Sequence, residues 1–141
     1  MAALFVLKNN HMKDTTTIAN ELVALCREGK FEQIYLELYD AEAINSIEPK
    51  GARFENVTGM DQLMKKGMEW NNSVETVYSS EVSDPLIAEN FFTLTMKMKV
   101  KLKDLPAPIQ MDEVCVYQVA NGKIVLEQFF YTPAEHGVLE G

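Results

Sequence analysis

The chain has 141 residues, 47% of them hydrophobic and 9% aromatic, and a formal net charge of −8. That length makes one ordinary domain able to bury a real core, while so acidic a surface repels phosphate backbones and anionic lipid. Nucleic acid and membrane surfaces are therefore excluded as expected partners, and nothing approaches the roughly eighteen apolar residues a membrane span requires.

Residues 1–13 read as an N-terminal tail. Leu4 to Leu7 is too short an apolar run for a secretory leader, so a cytoplasmic location is expected. His11-Met12 reads as a junction or an internal start, either of which sets residues 1–11 apart. Asp14, or one of Thr15 to Thr17, can cap a first helix, with Ile18, Leu22, Leu25 and Cys26 on one face and Gly29 at its end. A second short helix puts Phe31, Ile34, Tyr35 and Leu38 on its buried side. Residues 42–48 alternate as a strand and stop at Pro49, and the loop 49–57 carries Gly51 and Arg53. Arg53 reads as a surface arginine or as a contact for an anionic substrate.

Thr58, with Asp61 three residues on, forms a capping-box pattern for a third helix at 59–70. Met60, Leu63, Met64, Gly67 and Met68 mark its apolar face, Trp70 lies near its end, and Tyr35 and Met68 are expected in the core. A strand around 74–82 follows, then a turn at Asp84-Pro85 and one long strand to about Lys103. Phe92, Leu94, Met96 and Met98 alternate there with Thr93, Thr95, Lys97 and Lys99, which predicts a sheet with one wet face. The loop 104–108 and a final hairpin close a domain expected at 14–135, with a C-terminal tail at 136–141. Helices gathered before a run of antiparallel strands predict an α+β fold.

Cys26 and Cys115 lie far apart with no neighbouring ligand pattern. They read as reduced, buried thiols, and neither a metal site nor a cofactor is expected. His11 and His136 fall in the tails.

The final hairpin, Gln110 to Tyr131, carries the chemistry. One face combines Glu113, Cys115, Tyr117, Glu127, Phe129 and Tyr131, and carboxylates among aromatics on a buried face are costly unless hydrogen-bonded, solvated in a cavity, or used. If Ala120-Asn121-Gly122 is a three-residue loop, Cys115 faces Glu127 and Glu113 faces Phe129. If Asn121-Gly122 turns alone, Glu127 moves to the other side from Glu113. The three-residue loop is favoured. It makes Glu113 and Glu127 diagonal neighbours, which cannot both ionise easily. The opposite face, Val114, Val116, Ile124, Leu126 and Phe130, is apolar too. It needs a second cover, and a homodimer through the outer face of the sheet would supply it.

The segments REGKFEQIYLEL (27–38), Glu48-Pro49, TGMDQL (58–63) and VYQVANGKIVLEQFFY (116–131) resemble the nuclear transport factor 2-like superfamily, specifically its SnoaL-like members. The resemblance runs from about residue 15 to Tyr131. It implies a cone-shaped α+β barrel, three N-terminal helices on a curved, mostly antiparallel sheet enclosing a pocket. Relatives include ketosteroid isomerase and SnoaL-type polyketide cyclases, along with non-catalytic binding modules. By resemblance to ketosteroid isomerase, Glu48 takes the position of the proton-abstracting base. The two oxyanion-donor positions fall near Leu22 and Cys115, where neither a tyrosine nor a carboxylic acid stands.

Two functions follow as expectations. One is a cofactor-independent isomerase, cyclase or lyase acting on a small apolar carbonyl compound. It would use Glu113, Glu127 and Glu48 for catalysis, with Cys115, Tyr117, Phe129, Tyr131 and Trp70 contacting substrate. The other is a binding module that holds a hydrophobic ligand or a partner protein without turning it over.

Overall fold

The computed structural model describes residues 12–133. Residues 1–11 of the expected N-terminal tail at 1–13 and the expected C-terminal tail at 136–141, with His11 and His136, lie outside the described residues.

Helix α1 spans Thr15–Arg27, its first turn capped by the Asp14 carboxylate accepting from the Thr17 amide at 2.8 Å. Its buried face is Ile18, Ala19, Leu22, Val23 and Cys26. Helix α2, Phe31–Leu38, buries Ile34 and Leu38. Phe31, expected on that buried face, is exposed. Two short strands follow, β1 (Asn45–Ile47) and β2 (Val57–Thr58), then helix α3 (Met60–Ser73).

The capping box at Thr58 and Asp61 does not form. Gly59 occupies the cap with φ 85° and no side-chain cap is made. The Thr58 hydroxyl instead donates to Asn45 Oδ1 at 2.7 Å, and its amide donates to Gln62 Oε1 at 3.3 Å. Helix α3 also departs from its expected apolar face. Leu63 is fully buried, but Met68, expected in the core, is 64% exposed. The reason is what lies beneath the helix: over much of its length α3 roofs a hollow, with no packed layer to bury its methionines.

The remaining strands are β3 (Val74–Val82), β4 (Leu86–Ala88), β5 (Phe91–Leu102), β6 (Ile109–Ala120) and β7 (Lys123–Phe130). The single long strand expected before Lys103 is two strands. Glu89, at φ 55°, folds β4 back so that Leu86 pairs with Thr93 and Ala88 with Phe91. The sheet order is β2-β1-β7-β6-β5-β3, with β4 also on β5, and every pair is antiparallel except β1 with β7. This mixed, mostly antiparallel sheet curls around the three helices as an α+β cone. At one end the fit is solid. Ile18, Leu22, Phe92, Leu94, Tyr117 and Ile124 pack there, and the rings of Phe92 and Tyr117 stack at 4.8 Å and 16°.

The last hairpin corrects the expected register while keeping its consequence. Asn121 (φ 50°) and Gly122 (φ 74°) form a two-residue turn, with Ala120 opposite Lys123 and Val119 opposite Ile124. One extra residue, Val125, then bulges out, so Gln118 meets Leu126, Tyr117 meets Glu127 and Cys115 meets Phe129. The three-residue loop is therefore wrong, yet Glu127 still shares a face with Glu113 because the bulge reverses the alternation. Ile124, expected on the outer face, is turned inward and fully buried for the same reason. Among the described residues, no helix is long and apolar enough to cross a membrane.

Candidate functional site

Between the helices and the far half of the sheet lies a cavity of about 390 Å³. Its wall is apolar and aromatic: Phe31 and Tyr35 from α2, Phe54 from the 49–57 loop, Trp70 from α3, and Phe129 and Tyr131 from the end of the hairpin. Methionines 64, 68, 96, 98 and 111 fill in between. Into this wall are set Glu48, Glu113, Glu127 and Lys66, and the exposed Glu32 and half-buried Arg53 border it as well.

The parallel pairing of β1 with β7 builds the deepest part. It sets Ser46 directly opposite Glu127, both inward-facing and fully or nearly fully buried. Glu127, 4% exposed, accepts from the Tyr39 hydroxyl on Oε1 and from Ser46 Oγ at 2.6 Å on Oε2. Ser46 Oγ in turn accepts from Lys66 Nζ at 2.6 Å. Lys66 reaches Glu48 Oε1 at 3.5 Å, and the other Glu48 oxygen accepts from the Tyr131 hydroxyl at 3.2 Å. The ammonium also lies 5.7 Å from the Phe129 ring centroid, within cation–π range. A continuous polar chain therefore runs Tyr39–Glu127–Ser46–Lys66–Glu48–Tyr131, drawn from α2, α3, β1, β7 and the segments beside them.

Glu113 stands apart from that chain. The Cys115 thiol is 3.7 Å from its Oε1, a weak donor at long range. Burial, followed by the charge of Glu48, lifts its pKa from 4.5 to about 7. Burial also raises Glu48 and Glu127, opposed at Glu48 by Lys66 and the Tyr131 hydrogen bond, and at Glu127 by the Ser46 and Tyr39 hydrogen bonds. The expected cause of a raised carboxyl, direct Glu113–Glu127 repulsion, is thus the smaller one. With Tyr117 opposite Glu127, the two glutamates are not diagonal neighbours, and Glu48 is the stronger influence on Glu113.

Glu48, Glu113, Glu127, Tyr117, Phe129, Tyr131 and Trp70 all line the cavity. Cys115 does not. It is fully buried behind the wall, where its thiol faces the Glu113 carboxyl. Arg53 also reaches the cavity, held by Asp104 at 2.9 Å. Sequence reasoning passed over Tyr39, Ser46 and Lys66. Ser46 was within reach, because the alternation that turns Ile44 inward also turns Ser46 inward. Lys66 lies three residues beyond Leu63 on the inward side of α3, where a lysine is easily taken for a solvated residue. Tyr39 left no such trace; a bridge between it and Ile124 fixes its place, a tertiary contact. Among the described residues, no cluster of His, Cys, Asp or Glu is arranged to hold a metal ion.

The family profile described as a SnoaL-like domain matches residues 13–131. A protein of Mesorhizobium loti, provisionally assigned as a SnoaL-like polyketide cyclase, is 31% identical over 82% of this chain and 97% of its own, with a TM-score of 0.75. A nuclear transport factor 2-like protein of Burkholderia thailandensis shares the fold at a TM-score of 0.77, with 13% identity over 89% of this chain and 95% of its own. A Catenulispora acidiphila protein of ketosteroid isomerase-like fold, solved in complex with trimethylamine, gives a TM-score of 0.61 at 16% identity, over 72% and 75% of the two chains. Among curated proteins, none matches. The chain belongs to the SnoaL-like family.

Proposed function

We propose that this SnoaL-like domain is a cofactor-independent enzyme that moves a proton on a small, mostly apolar carbonyl compound, in an isomerisation, cyclisation or elimination. One observation carries this reading: Glu113 is a cavity carboxyl on which burial and the charge of Glu48 outweigh the pull of Lys66, and its pKa of about 7 lies where a general acid or base works best near neutral pH. The apolar wall suits an apolar ligand, and a cavity of about 390 Å³ fits a small molecule. Glu113 gives and takes the proton. Glu48, pinned by Lys66 and Tyr131, is the second base, and Glu127 supplies fixed negative charge at the floor. Trp70, Phe129 and Tyr131 hold the substrate, with Tyr117 beneath them. Positioned proton transfer of this kind supplies about 10²–10⁴-fold in rate.

The test is deuterium wash-in at the α-carbon of a panel of small apolar ketones, for wild type and Glu113→Gln. Exchange should be catalysed by the wild type and lost in the variant, with a pH profile bending near 7. Equal exchange in both proteins would end the catalytic assignment.

A second reading is favoured by the methionines. Five of them line the cavity, and such adaptable side chains suit the retention of a hydrophobic ligand. The positions near Leu22 and Cys115, where ketosteroid isomerase has its oxyanion donors, also lack a hydroxyl or acid here. In that case the protein is a binding module, and native mass spectrometry of the purified chain would find a ligand retained without turnover.

The same proposal includes a homodimer through the outer face of the sheet. Val114 is 42% and Phe130 48% exposed on neighbouring strands, directly opposite one another, with Val116 and Leu126 beside them. Sedimentation at micromolar concentration should give a dimer, and Val114→Asp should give a monomer. The two buried free thiols, Cys26 and Cys115, suit a reducing, cytoplasmic setting.

A further inference from the structure

The three cavity glutamates are not equivalent, and the difference traces to one residue that the proton-transfer reading does not itself require. A lysine ammonium carries three donors and no acceptor. Wherever it enters a hydrogen-bonded chain, it fixes the direction of every link beyond it. Lys66 Nζ donates to Ser46 Oγ at 2.6 Å, so the Ser46 hydroxyl hydrogen is free to point onward, and it meets Glu127 Oε2 at 2.6 Å. Tyr39 donates to the other oxygen. With both oxygens accepting, the Ser46 and Tyr39 hydrogen bonds favour the carboxylate form of Glu127 against the burial that raises its pKa. On its other side Lys66 pairs with Glu48 Oε1 at 3.5 Å, while Tyr131 donates to Oε2, so that carboxylate too is held as an acceptor on both oxygens. Glu113 receives neither treatment. Its contact is the Cys115 thiol, outside the chain, and it opens on the cavity.

We propose that Lys66 is a positioning residue that assigns the proton in this site: directly at Glu48, and through Ser46 at Glu127, it holds two carboxylates in the accepting, ionised form and leaves Glu113 as the one acid that exchanges a proton with the ligand. The groups facing Lys66 from the surrounding elements all take part. Ser46 comes from β1, Glu48 from the residue after it, Glu113 from β6, Glu127 and Phe129 from β7, and Tyr131 from beyond its end. Lys66 is the cation that reaches these three carboxylates, since Arg53 is held by Asp104, and this leaves a surplus of negative charge in an apolar hollow. Burial resists that surplus, and the acid with the weakest donors yields first. That acid is Glu113, whose pKa stands at about 7.

The inference rests on the proposed function only in naming Glu113 as the proton carrier to a ligand, and its test needs no substrate. In protein labelled with ¹³C at the glutamate carboxyls, assigned through the three Glu→Gln variants, one cavity carboxyl should titrate near neutral pH in the wild type. In Lys66→Met, Glu48 or Glu127 should join it, moving upward by at least about one pH unit, a tenfold gain in proton affinity. Lys66→Arg, which also only donates, should restore the single titration. Ser46→Ala cuts the chain while keeping the ammonium, so it should raise Glu127 and leave Glu48 in place. This variant also keeps the proposal testable should Lys66→Met fail to fold. Unchanged Glu48 and Glu127 titrations in a folded Lys66→Met protein, or an unmoved Glu127 in Ser46→Ala, would overturn it. If instead these titrations behave as expected but no ketone exchanges deuterium, the enzymatic reading fails and the assignment to Lys66 stands.

Discussion

Strands β5, β6 and β7 run through two regions built on opposite plans. At the turn end their inward face is closed against α1 by Phe92, Leu94, Tyr117 and Ile124, all almost fully buried. Toward the other end the same inward rows carry Met96, Met98, Met111, Glu113 and Phe129, and these border a hollow. The pairing of β5 with β6 is continuous across both, so the difference lies in the side chains and the roof. Helix α1 lays Ile18, Ala19 and Val23 on the closed half and turns Leu22 and Cys26 to the border of the hollow, whereas α3 buries Leu63 and stands Met64 and Met68 around a gap. One half is built for stability, and the other gives up packing to keep charged groups in a dry place.

That contrast can be broken most severely in the closed half. Phe92→Ala should cost about 3–5 kcal/mol by urea denaturation, since the stacked Tyr117 would then border a void. Met98→Ala, on the hollow, should cost under about 1 kcal/mol because no close packing is lost there. Near-equal costs would mean the cavity is not a cavity in solution.

Glu113 sharpens the comparison with the opposite sign. Its folded pKa of about 7 lies above the ordinary 4.5, so the folded protein binds the proton more tightly. The associated stability is fully present below about pH 4.5 and is lost as pH rises through 7, for a total of about 3 kcal/mol. Glu113→Gln should flatten this slope and be the more stable protein at pH 8, as thermal melts at several pH values would reveal. A melt temperature at pH 8 no higher than the wild type's would contradict it.

Glu127→Gln should cost about 2 kcal/mol, because an amide cannot accept from both the Tyr39 and Ser46 hydroxyls. A smaller effect is expected at the tip of the hairpin. Gly122→Ala should cost about 1 kcal/mol, since φ is +74° there and a Cβ would meet Met12 Cγ at 2.8 Å.

Periodicity made the α+β order, the buried face of α1 and the inward glutamates legible, because each depends on local alternation. What it missed depended on partners distant in sequence. Ser46 and Lys66 become a pair only when β1 lies parallel to β7 and α3 crosses above them, and nothing near either residue announces that. The split of the long strand at Glu89 was hidden because its turn uses a glutamate at positive φ, a residue that rarely marks such a bend. The shared face of the hairpin glutamates was reached through a wrong loop length and a wrong register. Counting residues to Asn121-Gly122 cannot disclose the bulge that restores the face.

Val125 therefore decides which of two proteins the last strand makes. Were β7 to run on without its irregularity, Leu126 and Phe130 would enter the interior and Glu127, Phe129 and Tyr131 would leave it. That arrangement would trade one pair of bulky side chains for another and dispose of a costly buried charge. The chain forgoes it, leaving Phe130 nearly half in water so that an acid can stand indoors.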